Sequence, residues 1–254
     1  YKPTICIKLF RPVLFVRNWK VETEKVWQRE KAKELFVYLY IHRNRFCSKE
    51  EIMDALFPSS TEDVAVRDFK VAYNALLKVL EPERNAREES FYIERKTGMY
   101  RIRSAPYIES DVHYFEQLIS LANKQHCPIL RKQWLLKAIQ QYTGNLYEEN
   151  SHIEWLHQER QRYKTLYLKA VEQLAQLLFE EQQYEQCIQY CEMILSKEST
   201  WEEAYRLIMW CYFYLENKVA VQKTYERCEQ VLLQQYDMEP MQSTTEIFEK
   251  LIKI

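Results

Sequence analysis

The stretch "RDFKVAYNALLKVLEP", residues 67–82, decides the reading of this chain. Val66, Phe69, Tyr73, Leu76 and Leu80 step by three or four residues, the spacing of a helix that buries one side. Arg67, Lys70, Asn74 and Lys78 recur at i, i+3, i+7 and i+11 on another side, with Val71 among them. Such a stripe suits a DNA major groove, where cations meet phosphate or guanine and a valine meets a thymine methyl. A solvated helix face has the same periodicity, so the neighbouring segments must decide.

Upstream, "REKAKELFVYLYIHRNRF" from Arg29 carries apolar residues at 32, 35, 36, 39 and 40, and predicts an amphipathic helix. "SKEEIMDALFP" follows, with Ser48 and Glu51 at the spacing of a capping box and Pro58 after the helix it ends. Ser60 is the expected cap of the third helix, with Glu62 and Asp63 in its positive first turn. Downstream, "FYIERKTGMYRIR" (91–103) alternates as a hairpin, with Gly98 supplying a positive φ and Arg95 and Lys96 at the tip. Residues 1–21, rich in Thr, Ile, Val and Phe, read as short strands. Strands, three helices and a basic hairpin, in this order, predict an α+β winged helix-turn-helix. Its third helix would enter the major groove, and its wing would press a neighbouring groove or the backbone.

Charge and composition agree. Residues 1–104 hold 21 Lys and Arg against 15 Asp and Glu; residues 105–254 hold 15 against 22. One half is therefore suited to a polyanion and the other is not. The 254 residues suffice for two domains, and "RSAPYIESD" (103–111) marks the expected boundary between 1–104 and 105–254. Only two glycines occur where average usage gives roughly 18. Glycine-rich phosphate loops cannot be built from Gly98 and Gly144 alone, which excludes nucleotide binding of that kind. Neither a nucleophile–base pair nor a catalytic carboxylate motif is evident, so no catalytic residue, metal or cofactor is expected. The seven cysteines include no CxxC pair, and Cys187, Cys191 and Cys211 lie among apolar neighbours, as reduced cytoplasmic thiols do. No apolar run approaches the roughly 18 residues of a membrane span. A chain that begins at Tyr1 reads as part of a longer protein.

Beyond residue 111 the pattern is helical, punctuated at "CP" (127), "YTGN" (142) and "SKEST" (196). Between 151 and 236 a period of 34 pairs Ala170 with Ala204, Leu174 with Ile208, Leu178 with Tyr212, Cys187 with Val221, Cys191 with Tyr225 and Ile194 with Cys228. That spacing predicts an all-α, tetratricopeptide-like repeat whose end helices, from 111–142 and from Gln242 onward, cap the stack. The aromatic residues here read as packing, and the acidic "YEEN" (147–150) and "EEQQYEQ" (180–186) as solvated.

"KAKELFVYL", "SKEEIMDALFP", "RDFKVAYNALLKVLEP" and "TGMYRI" resemble the OmpR-like DNA-binding domain of the Streptomyces antibiotic regulatory proteins. "SDVHYFEQLI", "YTGNLYEEN" and the run from "ENKVAVQKTYERCEQ" to "TTEIFEKLI" resemble the bacterial transcriptional activator domain that follows it. The wording of residues 67–82 is similar to larger MalT-like regulators that carry this pair of domains. The resemblance implies a transcriptional activator that binds double-stranded promoter DNA and contacts RNA polymerase, with its helical domain able to form a homodimer. It assigns DNA contact to Arg67, Lys70, Val71, Asn74 and Lys78, and to Arg95 and Lys96 of the wing. Where the family commonly ends this helix in arginines, this chain has Ala75, Leu76, Leu77 and Lys78, which leaves fewer cations for phosphate. The alternative is a protein-interaction or signal-sensing module of a larger regulator, with weak or no DNA binding of its own.

Overall fold

The computed structural model describes residues 5–18, 20–85, 88–103, 108–150 and 152–253. In chain order its elements are β1 (Ile5–Lys8), β2 (Leu14–Arg17), β3 (Lys20–Val21), α1 (Glu30–Ile41), β4 (Cys47–Ser48), α2 (Lys49–Leu56), α3 (Glu62–Leu80), β5 (Ile93–Lys96), β6 (Met99–Ile102) and β7 (Ile108–Ser110). Then come α4 (Asp111–Lys124), α5 (Pro128–Gln141), α6 (Trp155–Glu180), α7 (Tyr184–Lys197), α8 (Glu202–Tyr214), α9 (Lys218–Tyr236) and α10 (Gln242–Lys253). The chain divides into two compact units, 1–114 with 143–160, and 115–142 with 161–254. The expected boundary between 104 and 105 lies outside the described residues, as do residues 1–4 of the first expected strand segment. The next part of "RSAPYIESD" is not linker: 108–110 is the strand β7.

In the first unit the period of two in "ICIK" buries Ile5 and Ile7 and leaves Cys6 and Lys8 partly open. β1 pairs antiparallel with β2 and parallel with β7, giving the order β3-β2-β1-β7. The run Ala32–Ile41 of α1 is buried throughout, which a helix reaches only when it is covered on every side. One cover comes from residues 143–160. Tyr147 is fully buried and donates its hydroxyl to Glu30 at 2.8 Å; Lys33 lies 3.1 Å from Glu30 and 3.4 Å from Glu149. Trp155 packs edge-on against Tyr38 at 4.9 Å and donates its indole N–H to Glu34 at 3.4 Å. In "YEEN" Tyr147 is buried and Glu149 is paired while Glu148 stays exposed, so the segment is a strap and not a wholly solvated acidic stretch. Arg160 ties the strap to itself through the carbonyls of Leu146, Tyr147 and Asn150 at 2.6–2.8 Å.

The same strap reaches the end of β1. Tyr147 N–H donates to the Leu9 carbonyl at 2.8 Å and the Thr143 hydroxyl to the Phe10 carbonyl at 2.8 Å. A Cβ on Gly144 would stand 3.1 Å from that Phe10 carbonyl, so any side chain there would push the two backbones apart by a few tenths of an ångström. From the other side the buried Asp111 carboxylate accepts the N–H groups of Leu9, Phe10 and Val112 at 2.8–3.1 Å. These bonds join the start of α4 to the first strand.

In the second unit the 34-residue pairing is a pairing in space. Of the twelve matched positions only Tyr212 stays partly open; the others are buried. The helix ends keep the same period: α6 ends at Glu180 and α8 at Tyr214, while α7 begins at Tyr184 and α9 at Lys218. Adjacent pairs α7–α8 and α8–α9 make the principal contacts, and α10 closes the stack against α8 and α9. Tyr225 and Phe248 stack at 4.1 Å beside Met209, Val221 and Leu251. The buried Glu202 accepts the Thr244 hydroxyl at 2.6 Å and the Met241 N–H at 2.8 Å, which latches the start of α10 to α8. Cys187, Cys191 and Cys211 are fully buried.

Gln182 and Glu216, also 34 apart, both adopt left-handed φ, at 60° and 57°. A side chain there costs about 1 kcal/mol that glycine avoids. Gln182→Gly and Glu216→Gly are each expected to stabilise the second unit by about 0.5–1 kcal/mol in urea unfolding. No gain from either would show that the turn is held by side-chain contacts.

Candidate nucleic-acid interface

α2 begins with the capping box its sequence spells. Glu51 N–H donates to the Ser48 hydroxyl at 3.1 Å, and Ser48 N–H donates to the Glu51 carboxylate at 3.3 Å. The same carboxylate pairs with the Arg45 guanidinium and accepts the Tyr38 hydroxyl at 2.9 Å. Arg45, followed by Tyr38 and the Ser48 N–H, holds the Glu51 carboxyl at about 2, well below the usual carboxylate range. A depressed folded value contributes stability that is present above about pH 4.5 and lost as pH falls toward about 2. Screened by solvent at this one-third-open side chain, the contribution is about 1 kcal/mol. Acid unfolding of Glu51→Gln is expected to show a shallower loss of stability in that window than the wild type; equal slopes would rule out this pairing.

α3 starts one residue later than expected. Thr61 and not Ser60 occupies the cap, and its side chain accepts no hydrogen bond; Glu62 and Asp63 in the first turn carry the favourable charge. Ala65, Phe69, Ala72, Leu76, Val79 and Leu80 turn inward, so the buried side is wider than the five-residue stripe the sequence predicts. Val66 and Tyr73 of that stripe stay partly open. Arg67, Lys70, Val71, Asn74 and Lys78 all fall on the opposite, exposed side. Arg67 meets its neighbour Asp68 at 3.0 Å. Lys70 and Lys78 form no ion pair among the described residues. Val71 is 38% exposed and borders a shallow hollow with Phe57, Lys31 and Asp68. Ala75, Leu76 and Leu77, where the resembled family carries arginines, are buried. An arginine at 76 would point into the core, so its absence removes no outward contact.

The hairpin turns through Thr97 and Gly98, whose φ values of 46° and 79° are those of a two-residue turn with both central residues left-handed. Arg95 and Lys96 are thus the last residues of β5 and not the tip itself. Strand alternation sends them to opposite faces. Arg95 pairs across with Tyr100, whose ring lies 5.7 Å below its guanidinium and packs edge-on against Phe69 and Tyr73 of α3 at 5.2 and 5.3 Å. These rings fix the wing against α3. Lys96 shares its face with Glu94, Arg101 and Arg103: Glu94 lies 2.8 Å from Lys96, 2.6 Å from Arg101 and 3.9 Å from Arg103. Lys96 and Arg101 pull the Glu94 carboxyl down to about 2. Both also sit over the Phe46 ring, at 5.3 and 4.4 Å.

Beside α3 and β5 is an open cleft of about 630 Å³, lined by Tyr73, Asn74 and Leu77 of α3, by the cations Arg84, Arg95, Lys96 and Arg103 and by the carboxylates Glu88, Glu89 and Glu94. The sequence reading missed Arg84, Arg101 and Arg103. The alternation of "MYRIR" carries the signal for the last two, since it puts both on the face of Lys96.

The fold is a winged helix-turn-helix joined to tetratricopeptide-like helical hairpins, an architecture of transcription regulators. Residues 110–252 match the model of the bacterial transcriptional activator domain, and the chain belongs to that family. This agrees with the resemblance to the Streptomyces antibiotic regulatory proteins. The solved structure titled Mycobacterium tuberculosis EmbR in complex with low affinity phosphopeptide is similar, with a TM-score of 0.83 at 13% identity. The match covers 99% of this chain and 66% of that one, so the chain spans just under two thirds of the length of EmbR. No curated protein matches the chain in sequence. No helix among the described residues is long and apolar enough to cross a membrane.

Proposed function

We propose that the chain activates transcription by binding double-stranded promoter DNA through α3 and the wing, while the helical unit offers contacts to RNA polymerase or to a second copy. The observation that carries this reading is the exposed stripe of Arg67, Lys70, Asn74 and Lys78, whose two lysines form no ion pair among the described residues. α3 would lie in the major groove with Arg67 and Asn74 toward base edges, Lys70 and Lys78 on phosphates and Val71 toward a methyl group. Arg95 and Lys96 would meet the backbone beside it. Fluorescence anisotropy of a labelled promoter duplex over 50–200 mM salt tests this. Affinity that rises steeply as salt falls supports the reading, and no binding at low salt defeats it.

A protein-interaction role with little DNA binding is the second reading. It is favoured by the exposure of Tyr214, Leu215 and Val219 where α8 ends and α9 begins, an apolar patch suited to a partner surface. Sedimentation of the chain alone and with RNA polymerase, at salt that abolishes duplex binding, separates the two roles.

A further inference from the structure

The wing carries its own anion. Glu94 occupies the centre of a face whose other charged members, Lys96, Arg101 and Arg103, all point to its carboxylate. Arg101 is its direct cross-strand partner and Lys96 its neighbour two residues along the same strand, so the pleat alone brings all three together. Phe46 holds Lys96 and Arg101 from below, which limits how far either can swing away. The carboxylate is only 14% exposed, whereas the Lys96 ammonium is largely open. From outside, the face therefore presents cations that are already engaged.

We propose that Glu94 acts as a built-in competitor for phosphate, holding down the affinity of the wing for any polyanion so that docking depends on the contacts of α3. This rests on the DNA-binding reading and deepens it. A duplex phosphate approaching Lys96 must displace a charge-assisted bond of 2.8 Å, and it then faces the negative charge of Glu94 itself. Non-specific binding, which is almost wholly electrostatic, is penalised in full. Binding at a preferred sequence carries the same penalty but adds base contacts from α3, so docking relies on those contacts. Glu94 then sets the overall affinity of the interface without touching a base.

The test uses Glu94→Gln, which keeps the shape and a hydrogen-bond acceptor while removing the charge, in the full chain with its fold checked by circular dichroism. Two probes are used: a random-sequence duplex and immobilised heparin. Freeing Lys96 to neutralise one phosphate is expected to tighten random-duplex binding about eightfold at 0.1 M salt and to steepen the log–log salt slope by about 0.9. Elution from heparin is expected to move to higher salt. Lys96→Ala should cost clearly less affinity with Glu94 in place than in the Glu94→Gln background, where the loss is expected to be about eightfold. Unchanged or weaker polyanion binding by folded Glu94→Gln overturns the proposal, and so does an equal effect of Lys96→Ala in both backgrounds. A later heparin elution with no duplex binding by either form supports the competitor role and defeats the DNA reading instead.

Discussion

Replacing Lys70 and Lys78 together by alanine is expected to weaken duplex binding about 60-fold at 0.1 M salt. Each phosphate contact on B-form DNA contributes close to 0.9 to the log–log salt slope, or about eightfold at that concentration. The two lysines project from the exposed side of α3, two turns apart, and neither is engaged by a carboxylate among the described residues. Their charges are thus fully available, in contrast to that of Lys96. The slope should become shallower by about 1.8. Lys78 also stands in the last turn of α3, where a cation favours the helix by about 0.3–1 kcal/mol, so thermal melts of the variant should be recorded alongside. A slope that does not change, in a variant that melts as the wild type does, would remove α3 from the interface.

Tyr147→Ala is expected to lower the stability of the first unit by about 3–5 kcal/mol, the cost of emptying a fully enclosed aromatic site. Tyr147→Phe should cost about 1–2 kcal/mol, because it removes only the hydroxyl given to Glu30. Lys33 and Asn150 still serve that carboxylate, at 3.1 and 2.7 Å. Tyr147 holds a φ of 49°, a conformation that costs a side-chain-bearing residue about 1 kcal/mol. The backbone accepts that strain where the ring gains more by burial beside α1. Urea unfolding followed by a probe on the first unit decides the matter: a loss under 1 kcal/mol for the alanine variant would mean that the strap merely lies on the surface.

What was legible in the sequence was what depends on neighbours. The capping box of Ser48 and Glu51 and the alternation of β5 and β6 are patterns within a few residues and formed as written, while the apolar stripe of α3 formed with Val66 and Tyr73 partly open. The 34-residue period was legible because a repeated helix pair repeats its small and apolar positions. What escaped were pairings fixed by distant partners. "YEEN" is acidic and looks solvated, and nothing near it announces that Lys33 and Glu30, more than a hundred residues earlier, complete its bonds. β7 was missed for a like reason, since three residues become a strand only because β1 offers an open edge. On α3 the exposed side was readable, but the pairing of Glu94 with Lys96 and Arg101 was not. Reading it requires knowing that Arg101 lies opposite Glu94 across the hairpin.

The first unit is assembled from two stretches separated in sequence by residues 115–142. Recombination between regulators, whether in evolution or at the bench, therefore cannot transplant the cationic helix with a single crossover. A graft that stops at 114 arrives without Trp155 for Tyr38, without Glu149 for Lys33 and without Thr143 for the Phe10 carbonyl. Chimeras that exchange operator preference should instead be cut twice, carrying 143–160 along with the winged helix.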